Sequence, residues 1–303
     1  MLSTRLLFGI LMVAGLLTAL WVDEWFAPWF PFWLLLCGAA LMGAAWEISG
    51  LLSATSAGPS RNSVMGGVLA ILIANWVPHL VESHSQAEGE SALLYDPGRT
   101  LDLLAWPFLT FVAVVMACFV VQSIQFARPG RTMAKISGTV LAIAYVGLLG
   151  SFTIQMRWFE GRRQGLMALV YLFATAKGSD TGAYTLGRLA GRHKLWPQLS
   201  PKKTIEGAIG GLAFGVGASL LVSAIARNGL DIPSFSPPLA AVFGLVVSAV
   251  AQLGDLMESM MKRDCERKDA SQAVPGFGGV LDVLDSILFA GPVAYVFWLS
   301  FGP

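Results

Sequence analysis

Four carboxylates and a lysine recur at helical spacing near the C-terminus of an otherwise apolar chain. In AQLGDLMESMMKRD, Asp255 and Glu258 stand at i and i+3 with Ser259 at i+4, so they share one helix face. Lys262, seven residues beyond Asp255, returns to that face if the helix continues. In PGFGGVLDVLDS, residues 275–286, Asp282 and Asp285 repeat the spacing with Ser286 at i+4, behind a turn containing Gly276, Gly278 and Gly279. The helix dipole favours an acid such as Asp282 at a helix start. Asp285 lies a turn deeper, where an unpaired carboxylate is costly and usually functional. Clustered carboxylates with few histidines suit a hard cation such as Mg²⁺, which takes oxygen ligands and keeps substrate phosphate in its shell. Lysines beside them make sense when a polyphosphate sits between metal and cations, as in phosphoryl and nucleotidyl transfer. The glycine-rich turn can present backbone N–H groups to an anion.

A second polar block, SDTGAYTLGRLAGRHKLWPQLSPKKTIEG, covers residues 179–207. Lys177 and Asp180 stand at i and i+3 within an apolar segment, and an internal ion pair is the plainest reading of them. Gly187, Arg188, Gly191 and Arg192 form a basic turn of the kind that anchors anionic lipid. Ser200, Lys202, Lys203 and Thr204 precede Glu206 and Gly207 at the opening of an apolar helix. Two lysines with two hydroxyls at a helix N-terminus make a phosphate-binding corner.

The elements that must position these residues are membrane helices. Hydrophobic residues make up 55% of the 303 and charged residues only 13%, and mean hydropathy is +0.65. Soluble domains carry about 25% charge, so the bilayer is the solvent for most of the chain. A span needs roughly 20 apolar residues, and that ruler yields an all-α polytopic transmembrane bundle of about nine spans, eight to ten being compatible. They fall near 5–21, 29–47, 63–81, 102–122, 136–156, 165–186, 206–226, 237–257 and 281–301. The first reads as an uncleaved span, because no small-residue cleavage site follows it. Residues 1–160 form an N-terminal transmembrane region, and residues 161–303 a C-terminal catalytic one with polar loops at 187–205 and 258–280. Placing the N-terminus in the cytoplasm puts most lysines and arginines, both polar loops included, on the cytoplasmic side. The basic stretch RWFEGRR (157–163) is the exception.

Several classes drop out. A net charge of +1 lacks the basic excess of a nucleic-acid binder. His79, His84 and His193 show no paired spacing for zinc, and His193 reads as interfacial. Cys37 and Cys118 lie in apolar runs and Cys265 in a charged one, so no disulfide framework arises. Trp25, Trp29, Trp33 and Trp196 read as an interfacial aromatic belt.

Three blocks resemble the integral-membrane phosphatidate cytidylyltransferases, also called CDP-diacylglycerol synthases. SDTGAYTLGRLAGRHKL resembles the family's Asp-x-x-Ala-Tyr followed by Gly-Arg turns. LSPKKTIEG matches its Ser-Pro-Lys-Lys-Thr-x-Glu-Gly block. GDLMESMMKRDCERKDASQAVPGFGGVLDVLDS resembles its C-terminal signature, and the resemblance covers roughly residues 175–290. Phe277 stands where the family usually has histidine, and Val283 where it usually has arginine.

The resemblance implies an enzyme, a nucleotidyltransferase that joins CTP to phosphatidate, giving CDP-diacylglycerol and pyrophosphate for phospholipid synthesis. It implies Asp255 and Asp282 as ligands of Mg²⁺, with room for a second cation, and Asp285 and Asp180 as supporting acids. Lys202, Lys203, Lys262 and Arg263 would hold phosphates, Ser200 and Thr204 would add hydrogen bonds, and Lys268 with Asp269 would shape the loop that leads to Gly278 and Gly279. The implied location is a bacterial inner membrane with the active site facing the cytoplasm, and the cleft that admits lipid is compatible with a homodimer. The blocks fit the same chemistry on a polyprenyl or ether-lipid phosphate as an alternative. A catalytically silent lipid-binding relative would also keep the fold. A transporter using Asp180, Asp255 and Asp285 would spread its acids through the membrane depth, whereas here they crowd one face.

Overall fold

Apolar runs of about 20 residues have one stable solution in hydrocarbon, a helix that satisfies its own backbone. The computed structural model of the chain describes residues 14–88, 102–127, 129–159, 163–271, 273 and 278–303. The expected first span is described from residue 14 to 23, which is helical (α1). Helices α2 (Pro31–Leu52), α3 (Arg61–Glu88) and α4 (Asp102–Ile124) follow. A continuous span, Thr132–Trp158, comprises α5 (Thr132–Ile143), a π turn, α6 (Leu149–Gln155) and a 3-10 turn. Then come α7 (Gln164–Ala190), strands β1 (Lys194–Trp196) and β2 (Ser200–Thr204), α8 (Ile205–Gly229), α9 (Pro237–Asp264) and α10 (Val280–Phe301).

Among the described residues, 7 spans are long and apolar enough to cross a membrane. Helix α7 has the length, 27 residues, but carries Lys177 and Asp180 at its middle. With α7 the 7 spans agree with the expected all-α bundle, of whose first span only the helical residues 14–23 are described, and the protein is an integral membrane protein.

The chain divides into two compact units: Met1–Gln155 with Asp269–Val283, and Met156–Lys268 with Leu284–Pro303. In the first, buried Asp23 caps α2, its carboxylate accepting from Phe32 N at 3.0 Å and Trp33 N at 2.8 Å. Trp33 does not join an interfacial belt as expected. It is buried, and its indole donates to Ile154 O at 3.2 Å. Trp25 and Trp29 are exposed. Asn75, Ser151, Gln155 and His79 form a buried polar chain between α3 and α6, with links of 2.9 to 3.1 Å, the kind of hydrogen bonding that ties spans in lipid.

In the second unit α7, α8 and α9 pack through small residues. A Cβ on Gly182 would lie 2.5 Å from Gly210 O, so the α7 and α8 backbones meet without side chains between them. Tyr171, Phe235, Phe243, Phe297 and Trp298 stack as an aromatic core, with centroids 4.6 to 5.6 Å apart along their linked pairs. Arg157, expected in an outer loop, is buried in the 3-10 turn, so it does not count as a loop charge in the orientation rule. The expected loop at 187–205 holds an antiparallel hairpin, Lys194 facing Thr204 and Trp196 facing Ser200. A ladder is how backbone outside a helix satisfies its polar groups. Helix α9 continues through Asp264 with Lys262 and Arg263 in its last turn, where cations complement the dipole. The polar connection before α10 therefore begins at Cys265 rather than 258.

Candidate active site

Helices α7, α9 and α10 and strand β2 each bring charged residues to one place in the second unit. Because α9 continues past Asp255, Glu258 and Lys262 share its face as their spacing requires. Gly254, immediately before Asp255, decides which helix that face meets. A Cβ there would lie 2.6 Å from Asp285 O and 2.8 Å from Phe289 Cβ, so only glycine lets α9 and α10 approach this closely. One ligand atom each of Asp255, Glu258 and Asp285 consequently falls within 4.8 Å of the others. Glu258 and Asp285 are buried and Asp255 is partly exposed. Gly254→Ala should push α10 away, lower turnover about tenfold, and lower the thermal unfolding midpoint as an overpacked helix contact does, with the two measured on the same preparation.

Three lysines attend the carboxylates. Lys203 Nζ lies 2.6 Å from Asp255 Oδ2, and Lys262 pairs with Glu258 one turn along α9. Lys177 Nζ donates to Asp180 Oδ2 at 3.0 Å and to Ser286 Oγ at 3.2 Å. The internal pair read from the sequence therefore exists, and it also reaches the helix that carries Asp285. Such a set fits a divalent cation chemically. The ligand atoms are all carboxylate oxygens, the preference of a hard ion, and like charges packed this closely invite a counter-ion.

The hairpin separates the two adjacent lysines. Successive residues of a strand face opposite ways, so Lys203 turns to Asp255 while Lys202 is exposed. Thr204 is the N-cap of α8, its Oγ1 accepting from Gly207 N at 3.1 Å. Ser200 is half-buried at the other end of β2. Arg263 donates to the Leu199 and Arg267 carbonyls at 3.3 and 3.4 Å, while Lys268 and Asp269 are exposed.

In the first unit, Asp282 Oδ2 accepts from Gly279 N at 2.6 Å and Ala270 N at 3.2 Å. This is half of a capping box, an acid at N3 reaching back to the N-cap amide. Gly278 takes φ +103°, and a Cβ on it would lie 2.8 Å from Asp282 Oδ2. The turn that looked ready to hold an external anion thus holds this chain's own carboxylate. Val283 is half-buried on α10; Phe277, with Pro275 and Gly276, lies outside the described residues. Sequence reasoning placed Glu258 and Ser286 on the acidic helix faces without giving either an individual role, read Lys177 only as half of an internal ion pair, and left Glu47 unassigned. Glu47 had a usable signal, an acid alone in the apolar run LMGAAWEISG.

A groove of about 570 Å³ runs between α7 and α8, lined by Lys177, Gly178, Thr181, Phe214, Gly217 and Leu221 among others. The lining is mostly apolar, with Thr181 and Lys177, the lysine that contacts Ser286, as its polar side chains.

A family profile described as the Cytidylyltransferase family matches residues 3–301. A phosphatidate cytidylyltransferase of Synechocystis sp. is 36% identical over 190 residues, covering 55% of this chain and 63% of the relative. The phosphatidate cytidylyltransferase of Staphylococcus saprophyticus is 40% identical over 154 residues, and that of Staphylococcus aureus 40% over 156, each covering 51% of this chain and 55% of the relative. The matches thus span between about half and two thirds of those relatives' lengths.

Proposed function

The chain belongs to the cytidylyltransferase family, and from that premise we propose that it transfers a cytidylyl group from CTP to phosphatidate, releasing pyrophosphate. The observation that carries the reading is the group Asp255, Glu258 and Asp285 with Lys203 and Lys262 against it. Acids alone would suit an ion path, and lysines alone a lipid anchor. Interleaved on three elements, they suit a metal-bound polyphosphate.

Asp255, Glu258 and Asp285 would hold Mg²⁺, with Asp282 one turn earlier on the same helix as Asp285. When bound, that ion would neutralise charge on the reacting phosphate oxygens. Lys203 and Lys262 exchange carboxylate partners for phosphate oxygens of CTP as the nucleotide arrives. Lys177, held by Asp180 and Ser286, lines the α7–α8 groove and takes the lipid phosphate, leaving the acyl chains to the apolar lining. A phosphate monoester has its second pKa near 6, so the attacking oxygen is largely deprotonated at pH 7 and no histidine base is needed. An oxygen of the lipid phosphate bonds to the α-phosphorus, the bond from that phosphorus to the bridging oxygen breaks, and pyrophosphate carries away the electron pair.

The site faces the cytoplasm, where CTP is available, in the inner membrane of a bacterium. Support comes from the positive-inside bias of the loops and from the bacterial relatives. Purified protein in vesicles, given phosphatidate, α-labelled CTP and Mg²⁺, is expected to form labelled CDP-lipid and one pyrophosphate per lipid. Absence of labelled lipid under these conditions ends the reading.

A further inference from the structure

The N-cap position of α10 carries no side chain to cap the helix. The residue before Val280 is Gly279, which has nothing to offer the first turn, and the early amides of a helix have no intrahelical partner. Those amides are served from another helix. Glu47, on α2 and 6% exposed, accepts from Val280 N at 2.9 Å through Oε1 and from Leu281 N at 2.7 Å through Oε2. Ser271 Oγ donates to Oε1 at 2.6 Å, so the same carboxylate also holds the connection before α10. Asp282 serves Gly279 N. Two acids therefore define the first turn, one local and one from more than 230 positions earlier in the chain.

Glycine at 279 follows from this arrangement. A Cβ there would run into the Glu47 carboxylate, Oε2 being the nearest atom. On the other side, Gly43 lies one turn before Glu47, and a Cβ there would come within 3.2 Å of Val280 Cγ2. Helix α2 therefore lies close against the start of α10, with glycine on each side of the contact. Capping alone explains a carboxylate here. It does not explain why the cap comes from a distant span, nor why the contact excludes any side chain at 279.

We propose that Glu47 is a positioning residue for cytidylyl transfer. It fixes the first turn of α10, and with it the placement of Asp282 and, one turn on, Asp285. This rests on the proposed reaction, so the test reads the anchor and the reaction separately. Hydrogen exchange at the Val280 and Leu281 amides, without substrate, reads the anchor; in Glu47→Gln it should be at least about tenfold faster. Turnover reads the reaction: kcat of Glu47→Gln should fall about tenfold while KM for CTP stays within about twofold. Gly279→Ala should lose a similar factor. Adding Glu47→Asp, whose shorter side chain withdraws the carboxylate, should restore part of that loss, because the two changes meet at one contact.

Unchanged exchange in Glu47→Gln would overturn the anchor. Faster exchange with wild-type kcat would overturn the positioning role, as would losses in Glu47→Asp and Gly279→Ala that simply multiply. If the wild type makes no CDP-lipid, the proposed reaction and this role in it both fall, while the exchange arm still decides the anchor.

Discussion

Asp285→Asn is expected to cut CDP-lipid formation by about 10³-fold while leaving the protein folded. The size follows from the role: a metal ion contributes several kcal/mol of charge stabilisation, and about 4 kcal/mol is a thousandfold in rate. Asparagine keeps the shape and removes the charge, and Asp285 is the member of the cluster that α10 brings to Asp255 and Glu258. Stability should move the other way. In metal-free protein three carboxylates within 4.8 Å repel one another, so removing one charge should raise the thermal midpoint. A residue kept for structure would lower it, whereas functional sites commonly trade stability for activity. Kinetics over a Mg²⁺ series, paired with thermal unfolding in detergent, separates the two. Turnover within tenfold of wild type at saturating Mg²⁺ would remove Asp285 from the metal site.

The second large effect separates two neighbours that look equivalent. Lys203→Met should lower kcat/KM for CTP by about 10²-fold, whereas Lys202→Met should cost less than about fivefold. Methionine keeps much of the apolar stem and removes the ammonium. A hydrogen bond to a charged group contributes roughly 1.5–3 kcal/mol, which spans the hundredfold expected. Only Lys203 has that geometry, 2.6 Å from Asp255; Lys202 faces solvent from the opposite side of the strand, where salt screens its attraction for nucleotide. Initial rates across CTP concentrations at two ionic strengths would show it. Similar losses for both lysines would mean that the hairpin rearranges when nucleotide binds, and the assignment of Lys203 to the site would fall.

Much of this was legible before any coordinates. Composition and the length of the apolar runs sufficed for a membrane bundle, because hydrocarbon leaves the backbone little choice. The i, i+3 spacing put Asp255 beside Glu258, and Lys177 beside Asp180, because helical geometry is local. Other placements depend on contacts that no local pattern encodes. SPKKT reads as the polar stretch before a helix, and that helix does begin at Ile205, but nothing local announces that the stretch itself is a strand, which sends its two lysines to opposite faces. Trp33 looked interfacial and is a core residue donating to Ile154. Glu47 stood unremarked in an apolar run, and its partners lie at the other end of the chain.

By itself, then, the sequence determined the kind of solvent, the helices and which charged residues share a helix face. These follow from hydropathy and a 3.6-residue repeat. Only the tertiary structure decided which faces meet: Gly254 admits Asp285 to the acids of α9, and Gly279 admits Glu47 to the first turn of α10. In both cases a missing side chain sets the distance between two backbones, and that distance is a property of a helix pair rather than of either helix alone.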